Sequence, residues 1–170
     1  VYNKIVPEFC RKGIRNFFNN ASTPVRFVNS VLQLKPKSAG IELVRFSVNS
    51  TAGIGGFFDI AKRDHGLVMQ EEDFGQTLGH YGIGNGMYIV WPFLGPSTIR
   101  DSVGLIGDTL SAPEHFFLSW PISFGISGFE FHNKNAFRLG EYEAFKADAI
   151  EPYSAMKTGY IQLRKDKIKR

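Results

Sequence analysis

The residue types that could perform catalysis in this chain occur at spacings that match no catalytic template. Ser97 and Ser127 both lack the flanking glycines of a nucleophile elbow. The glycines within residues 82–86 have the wrong spacing for a dinucleotide-binding loop, and no Gly-Lys-Ser/Thr follows them as in a P-loop. The 4 histidines lie far apart, and none has the i, i+4 partner typical of a metal site. We therefore expect no catalytic residues, no bound metal and no cofactor, and the chain is not expected to be an enzyme.

Uncharged polar side chains are scattered through glycine-rich, charge-free segments of the chain. A polar group in apolar surroundings is costly unless it faces other polar groups or water. Two interpretations therefore stay open: these residues line a wet channel, or they form ordinary internal hydrogen bonds between loops and helices. The candidate lining residues are Asn49, Thr51, Gln76, Thr77, His80, Tyr81 and Asn85, together with Gly79 and Gly84, where a bulky side chain would narrow the path.

An unusual backbone must position these residues, because the segment from Phe74 to Ile99 contains no Asp, Glu, Lys or Arg but many glycines and prolines. A helix that spans a membrane needs about 20 consecutive apolar residues, and Gly and Pro interrupt any such helix here. Similar charge-free segments flank it at Phe46–Phe58 and Phe116–Phe129. Chain of this kind is tolerated at membrane depth only where protein or a water-filled cavity covers its backbone. The core of a soluble protein could also contain it.

The length of 170 residues favours one domain with a core of its own. The chain is rich in phenylalanine, with 16 Phe against 6 Tyr and 2 Trp. Phe supplies apolar surface without a polar atom, either in a core or against acyl chains. The aromatic residues lie in charge-free segments, whereas a nucleic-acid interface would interleave them with basic residues. With a net charge of only +4 as well, we expect no binding to nucleic acid.

Apolar residues recur at helical spacing along most of the chain, so the expected fold class is all-α. Thr23 precedes Pro24 as an N-cap before a proline at the first helical position, and Ser97 is expected to cap a later helix. The period-two run Tyr88–Trp91 is the exception to the helical pattern. The predicted helices cover residues 7–20, a segment from Pro24 to the break at Pro36, 38–50, 57–62, a segment after Ser97, 122–149, and a last helix from Pro152.

The predicted helix after Pro24 has an apolar surface that is too wide for a surface helix in water. Its polar residues Arg26, Asn29, Ser30 and Gln33 form one narrow stripe, and apolar residues cover the rest. The next helix is apolar nearly all round apart from Glu42 and Arg45.

Several runs of residues resemble the MlaA (VacJ) lipoprotein family, in the same order as in that family. The resemblance runs from about Val6 to about Leu163 and includes Gly53–Asp59, GIGGFFD. Its most specific motifs are Phe74–Gly79, FGQTLG, and Gly95–Asp101, GPSTIRD. On these motifs the chain is identified as a member of that family.

The resemblance implies broken amphipathic helices that form a ring-like single domain over residues 1–170, lying in the outer membrane of a Gram-negative bacterium and facing the periplasm. Family members lie beside trimeric porins and remove mislocalised phospholipid from the outer leaflet through a central amphipathic channel. They pass the lipid to a soluble periplasmic carrier, an MlaC-like protein. The expected partners are therefore phospholipid, a porin trimer and this carrier. Helices that cannot span a membrane but carry a polar strip agree with a protein embedded in one leaflet.

The start of the chain departs from the family pattern. The family's lipid-modified cysteine and first segment are expected upstream of Val1, and Cys10 does not match the lipobox position. The chain also opens without a methionine or a signal-peptide pattern. We therefore expect a trimmed part of a longer precursor that carries the lipid anchor.

The last predicted helix has a basic surface that fits two interpretations. Its apolar residues Tyr153, Met156, Tyr160 and Leu163 are expected to pack on the body of the protein, with its cations projecting to solvent. These cations either keep a helix end soluble or capture the lipid carrier. The candidate docking residues are Lys157, Arg164, Lys165 and Lys167.

A soluble helical protein-interaction module with no lipid-transport activity is the alternative to phospholipid transport. In that case the apolar segments form an ordinary core, and the protein is monodisperse and free of lipid in plain buffer.

Overall fold

The computed structural model describes residues 5–92, 94–113, 119–136 and 151–169. Most of these residues are helical, which confirms the all-α class, and a small antiparallel hairpin is added to it. The elements are α1 (Glu8–Ala21), α2 (Thr23–Leu32), α3 (Pro36–Thr51), α4 (Ile60–His65), α5 (Phe74–His80), β1 (Tyr88–Trp91), β2 (Gly95–Thr98), α6 (Ile99–Ser111), α7 (Trp120–Ala136) and α8 (Pro152–Lys169).

The chain divides into two compact units. The first unit comprises Val1–Glu71 and Ser111–Leu139, and the second comprises Glu72–Leu110 and Gly140–Arg170. In the first unit α2 packs along α3, and α1 contacts α2, α3 and α7. In the second unit α8 packs against α5 and β2. The expected single domain over residues 1–170 stays a prediction.

Two helix starts differ from the sequence predictions in the residue that was expected to cap them. Helix α2 begins at Thr23 itself, whose hydroxyl donates to Asn19 O (3.4 Å) and does not cap the helix. Helix α6 begins at Ile99 after a strand, and the Oγ1 of Thr98, not of Ser97, accepts from Asp101 N–H at 3.2 Å.

Helix α4 lies later in the chain than the predicted 57–62. Asp59 accepts a hydrogen bond from Lys62 N–H at 3.2 Å, and this cap sets the start at Ile60. The preceding residues Ile54, Gly55 and Gly56 all have positive φ, which prevents helix α3 from continuing into this segment.

The period-two run at Tyr88–Trp91 is strand β1, as predicted, but its partner β2 was missed. Tyr88 pairs with Thr98 and Trp91 with Gly95 in the antiparallel register. The sequence of β2 is GPST, and Gly and Pro usually indicate a turn and not a strand.

The helix predicted for 122–149 is described only in part. Helix α7 runs from Trp120 to Ala136, and residues 137–149 of the prediction lie outside the described residues. The last helix begins at Pro152 as predicted.

The interior of the first unit is polar and charged. Glu42 has no exposed surface, and its Oε2 accepts from Arg26 Nε at 2.8 Å, while its Oε1 accepts from Gln70 N–H at 2.7 Å. Arg45 is 4% exposed and donates to Asp59 Oδ2 at 3.1 Å and to Leu67 O. The narrow polar stripe of α2 therefore faces inward, and the hydrogen bonds of these residues join α2, α3, α4 and the loop before Gln70.

Apolar side chains lie mostly on the outside of the described structure. Among the described residues, the buried hydrophobic side chains are Ala39 and Ala61. Partial shielding comes from aromatic contacts in the first unit, where Phe9 packs on Phe57 with ring centroids 5.6 Å apart. Large exposed side chains in helices α2 and α3 are Val28, Val31, Leu32, Leu43, Val44 and Phe46.

Close helix packing in the second unit depends on glycine. A Cβ atom on Gly104 of α6 would lie 2.4 Å from the backbone nitrogen of Gly75 in α5. No side chain fits at this distance, so glycine allows the two helices to touch through their backbones.

No helix in the described ranges combines the length and the hydropathy that crossing a membrane requires.

Replacing Glu42 by Gln should destabilise the first unit, because Arg26 and Arg45 then lack their shared carboxylate. Breaking a buried ion pair costs about 3–5 kcal/mol, and we expect a loss of this size in denaturant unfolding in detergent, followed by circular dichroism. The matched control is Glu8→Gln, which removes an exposed pair with Lys12 (2.5 Å) and should leave the midpoint unchanged. Equal midpoints for Glu42→Gln and wild type would contradict a stabilising role for the buried pair.

Candidate functional site

Arg164 is the centre of a buried hydrogen-bond network in the second unit. Its Nη1 and Nη2 donate to the two carboxylate oxygens of Asp73 at 2.5 and 2.8 Å. Its Nε and Nη2 donate to Asp101 at 3.1 and 2.8 Å. Asp73 caps α5 and Asp101 lies in the first turn of α6. One side chain from α8 therefore joins the starts of two other helices.

The buried position of Arg164 corrects the sequence prediction that this cation projects to solvent. Arg164 is 9% exposed, because both carboxylates draw the guanidinium inward. Of the apolar residues of this helix that were expected to pack on the body, Leu163 is 55% exposed. Tyr153 is 60% exposed, but its ring contacts Tyr88 with ring centroids 5.7 Å apart. Helix α8 contacts its unit through Arg164 and through Tyr160, one of the apolar residues that were predicted to pack on the body.

The electrostatics of the network keep its carboxylates ionised. Burial alone would raise the pKa of Asp73, but its hydrogen bonds with Arg164 outweigh this effect and hold that pKa below the ordinary value. Burial and the Arg164 guanidinium oppose each other in the same way at Asp101, whose pKa is also lowered. Arg164 is likewise desolvated, yet the two carboxylates raise its pKa above the ordinary range.

Tyr160 completes the network as a neutral donor. Its hydroxyl donates to Asp101 Oδ2 at 2.9 Å. Burial, and after it repulsion from the Asp101 carboxylate, raises the pKa of Tyr160 to about 12. The phenol therefore stays protonated at physiological pH and continues to donate.

The two predicted lining residues of the first unit, Asn49 and Thr51, differ from each other in burial and in hydrogen bonding. Asn49 is buried; its Nδ2 donates to Asp59 Oδ1 at 3.1 Å and its Oδ1 accepts from Ala61 N–H at 2.9 Å. Thr51 is exposed, and its hydroxyl donates to Ser47 O within its own helix at 2.7 Å. The side chain of Asn49 therefore agrees with the second interpretation, in which these polar residues form internal hydrogen bonds.

The predicted lining residues of the second unit divide in the same way. Gln76 and Thr77 are buried and hydrogen-bonded to Asp73, at 3.0 Å from the Gln76 amide and 3.3 Å from the Thr77 hydroxyl. His80 and Tyr81 are exposed at the end of α5, with ring centroids 5.2 Å apart. Asn85 is half-buried in the loop that follows.

The two predicted glycines have different surroundings. A Cβ atom on Gly79 would lie 2.5 Å from Ile168 Cδ1, so this glycine is covered by α8. A Cβ atom on Gly84 would meet nothing within 4 Å. Only Gly84 therefore offers open space for a larger side chain. The role of all these residues in a lipid path stays a prediction.

The predicted docking lysines lie along α8 with different exposures. Lys157 and Lys165 are exposed and Lys167 is half-buried. With Arg164 inside the network, these lysines are the members of the predicted docking set that solvent reaches.

Sequence reasoning missed Asp73, Asp101 and Tyr160 as members of one network. For Asp73 a signal existed, because an acidic residue followed three positions later by a glutamine, here Gln76, is typical of a capping box at a helix start. Asp73 Oδ1 indeed accepts from Gln76 N–H at 2.8 Å. No local pattern marks Asp101, because its partner Arg164 lies 63 residues away in sequence.

Comparison with known families decides which family this fold represents. Residues 1–167 match the model of a family described as MlaA lipoprotein. The chain belongs to the MlaA lipoprotein family. The resemblance of the FGQTLG and GPSTIRD motifs to this family is thus confirmed over almost the full chain.

Relatives named as the intermembrane phospholipid transport system lipoprotein MlaA are identical to this chain at about a third of the aligned residues. The protein of Shigella flexneri is 35% identical over 159 residues, which are 92% of this chain and 62% of that protein. The protein of Escherichia coli K12 has the same identity and coverage. The protein of Haemophilus influenzae is 31% identical over 168 residues, or 95% of this chain and 65% of that protein. The chain thus spans less than two thirds of the length of these MlaA relatives.

A solved structure supports the family at the level of the fold. A chain described under "Structural basis for maintenance of bacterial outer membrane lipid asymmetry" matches with a TM-score of 0.82 and 32% sequence identity. The match covers 98% of this chain and 84% of that chain.

Replacing Arg164 by Met should destabilise this MlaA-family chain at pH 7 by about 3–5 kcal/mol, the cost of breaking a buried pair. Since the pKa values of Asp73 and Asp101 are depressed below 3.8, the ionised network stabilises the fold fully above about that pH. This contribution is lost as the pH falls further and the carboxylates protonate. The difference between wild type and Arg164→Met should therefore narrow below about pH 3.8 in unfolding measurements across pH.

The control for this prediction is Arg63→Met, which removes an exposed pair with Asp64 in the first unit. Its stability should follow wild type at every pH. A stability difference for Arg164→Met that stays constant down to pH 2 would show that the ionised carboxylates are not its cause.

Proposed function

We propose that this protein transports phospholipid between membranes: it removes mislocalised phospholipid from the outer leaflet of the outer membrane and passes it to a periplasmic carrier. The relatives are named for intermembrane phospholipid transport, and the similar solved structure is described under outer membrane lipid asymmetry. The proposal carries this function to a chain that spans 62% of the length of the first two relatives.

The observation that supports this proposal is the inverted distribution of polar and apolar side chains. Within the described residues, the buried polar and charged set includes Arg26, Glu42, Arg45, Gln76, Asp101 and Arg164, and the buried hydrophobic set is Ala39 and Ala61. A protein folded in water buries its large apolar side chains, and this burial is its main stabilising contribution.

The exposed apolar surface favours surroundings of lipid over water. Leu34, Ile54 and Met87 are each more than 70% exposed. Each Å² of apolar surface left in water forgoes about 25 cal/mol, whereas acyl chains accept such a surface without this loss. We therefore propose that the apolar helices lie among lipid acyl chains, in the cell envelope and specifically in the outer membrane.

No catalytic step is part of the proposed function. The polar groups with solvent-accessible positions, such as Thr51, His80 and Tyr81, would offer hydrogen bonds to a passing headgroup, since an unpaired charged headgroup in hydrocarbon costs several kcal/mol or more. A ring-like single domain with a central amphipathic channel, located beside a porin trimer, belongs to the same proposal.

Purification tests the proposal against a soluble interaction module. We expect the chain to need detergent to remain monodisperse, and we expect mass spectrometry to find phospholipid in the purified sample. A monodisperse, lipid-free monomer in plain buffer would support the soluble module.

A bulky side chain at Gly84 should block transport. Because a Cβ at this position meets nothing within 4 Å and its φ is outside the left-handed region, Gly84→Trp should fold normally. Cells in which the variant replaces the wild-type protein should accumulate phospholipid in the outer leaflet, and their detergent sensitivity should equal that of cells without the protein. Gly40→Trp is the control, since a Cβ there also meets nothing within 4 Å. Wild-type barrier function with stably expressed Gly84→Trp would remove this residue from the lipid path.

The three lysines of the predicted docking set in α8 should speed the encounter with the soluble lipid carrier. Reversing Lys157, Lys165 and Lys167 to Glu should lower the association rate by about tenfold at low salt and less at higher salt, because charge acts mainly on the encounter. Surface plasmon resonance at two ionic strengths measures this effect. The control reverses Lys37 and Lys62, exposed lysines of the first unit. If the α8 variant associates at the wild-type rate at both salt concentrations, the lysines only keep the helix soluble.

A further inference from the structure

Asn85 precedes Gly86 in the loop between α5 and β1, and the sequence contains no other Asn-Gly pair. The loop lies inside the segment Phe74–Ile99, which contains no Asp, Glu, Lys or Arg. Asn85 is also one of the predicted lining residues of the lipid path. A reaction that turns its amide into a carboxylate would therefore place the first acidic side chain in this segment.

The residue after an asparagine decides how easily the side-chain amide is lost. The backbone nitrogen of that residue attacks the side-chain carbonyl carbon, so its own side chain hinders the attack, and glycine has none. Gly86 has a φ of 67°, and a Cβ atom on it would lie 3.1 Å from Ile99 Cβ. The fold therefore favours glycine at the position where glycine also leaves the attacking nitrogen unhindered.

Hydrogen bonds hold the loop on both sides of this nitrogen but leave the reacting groups without partners. Asn85 O accepts from Arg100 N–H at 3.3 Å, and Met87 O accepts from Ile99 N–H at 3.1 Å. Within the part of the chain that the structure describes, neither the Asn85 side-chain amide nor the Gly86 N–H has a hydrogen-bond partner. Gly86 is exposed, so water reaches the position at which the reaction occurs.

The side chains of two other asparagines are held in place. The Nδ2 of Asn16 donates to Phe57 O at 3.2 Å. The amide of Asn49 donates to Asp59 and accepts from Ala61 N–H. Each of these asparagines is followed by a residue with a side chain. Asn85 therefore combines a free amide with an unhindered neighbour, and the other two have neither.

We propose that Asn85 is a deamidation site, at which the loop gains a negative charge without an enzyme. Hydroxide removes the N–H proton of Gly86, whose nitrogen attacks Cγ of Asn85. The amide nitrogen takes up a proton as it leaves as ammonia, and a cyclic imide forms. Water then opens the imide and yields an aspartate or an isoaspartate at position 85. In sum, water is consumed and ammonia is released, with no oxidation or reduction.

The new carboxylate would form beside the first turn of α6, because Arg100, whose N–H donates to Asn85 O, lies in that turn. The positive end of a helix dipole stabilises a negative charge, so we expect the deamidated chain to stay folded. In the lipid path the same charge would repel the phosphate of a passing phospholipid, strongly so where hydrocarbon lowers the dielectric constant. Deamidation should therefore slow transport, and this consequence rests on the proposed phospholipid transport.

Peptide mass spectrometry of the full chain, incubated in detergent at neutral and at alkaline pH, measures the reaction. Conversion should be at least about tenfold faster at Asn85 than at Asn16 or Asn49, because glycine leaves the attack unhindered. The rate should rise with pH, since hydroxide starts the reaction. Asn85→Gln is the matched control: it keeps the amide on a longer side chain that closes the ring far more slowly. Conversion at Asn85 that is no faster than at Asn16, or that does not depend on pH, would overturn the site.

A cellular experiment then tests the effect of the charge. Cells in which Asn85→Asp replaces the wild-type protein should accumulate phospholipid in the outer leaflet, whereas Asn85→Gln should give wild-type barrier function. Circular dichroism should show both variants folded. Wild-type barrier function with stably expressed Asn85→Asp, or an equal defect in both variants, would overturn the effect of charge on transport. A normal outer leaflet in cells that lack the protein would instead count against phospholipid transport itself, and the deamidation measured on the purified chain would still stand.

Discussion

Compensation of buried charge is the constraint on which both units depend. In the first unit Glu42 lies between Arg26 and Arg45, with no exposed surface. In the second unit Arg164 lies between Asp73 and Asp101. A lone buried charge would cost several kcal/mol, and its partners offset this cost only when hydrogen bonds satisfy them too. Because Arg26 and Glu42 come from different helices, as do Arg164 and its two carboxylates, each set of charges also decides which helices pack together.

The apolar exterior follows from this polar interior. Once α2 and α3 turn Arg26, Glu42 and Arg45 toward each other, their leucine and valine side chains can only face outward. Short helices, such as the stretch Phe74–His80, and glycines with positive φ interrupt the chain, and no helix within the described ranges is both long and apolar enough to span a bilayer. The result suits an environment in which apolar surface is solvated by acyl chains, while hydrogen-bonding capacity is kept within the protein. These properties support the proposed transport of phospholipid.

The local elements of the fold could be predicted from the sequence because their causes are local. Helical periodicity and Pro152 located α8, alternation located β1, and the motifs FGQTLG and GPSTIRD identified the family. Capping was predicted less well, because neighbouring hydroxyls and carboxylates compete for the same backbone N–H groups. Thus Thr98 took the role predicted for Ser97, and Asp59 moved the start of α4. Strand β2 carries Gly and Pro, and only its pairing with β1 makes it a strand.

The sequence by itself determined which segments are helical, where glycine and proline break them, and which polar residues lie in apolar segments. Only the tertiary structure decided which side of each helix is inside. Hydrophobic patterning assigns apolar residues to the interior, and on this basis Leu163 was expected inside and Arg164 outside, whereas the reverse is true. The physical reason is that Arg164 pairs with Asp73, 91 residues away in sequence, and with Asp101. The energy of a buried ion pair exists only when the folded chain brings both partners together, so no local pattern in the sequence records it.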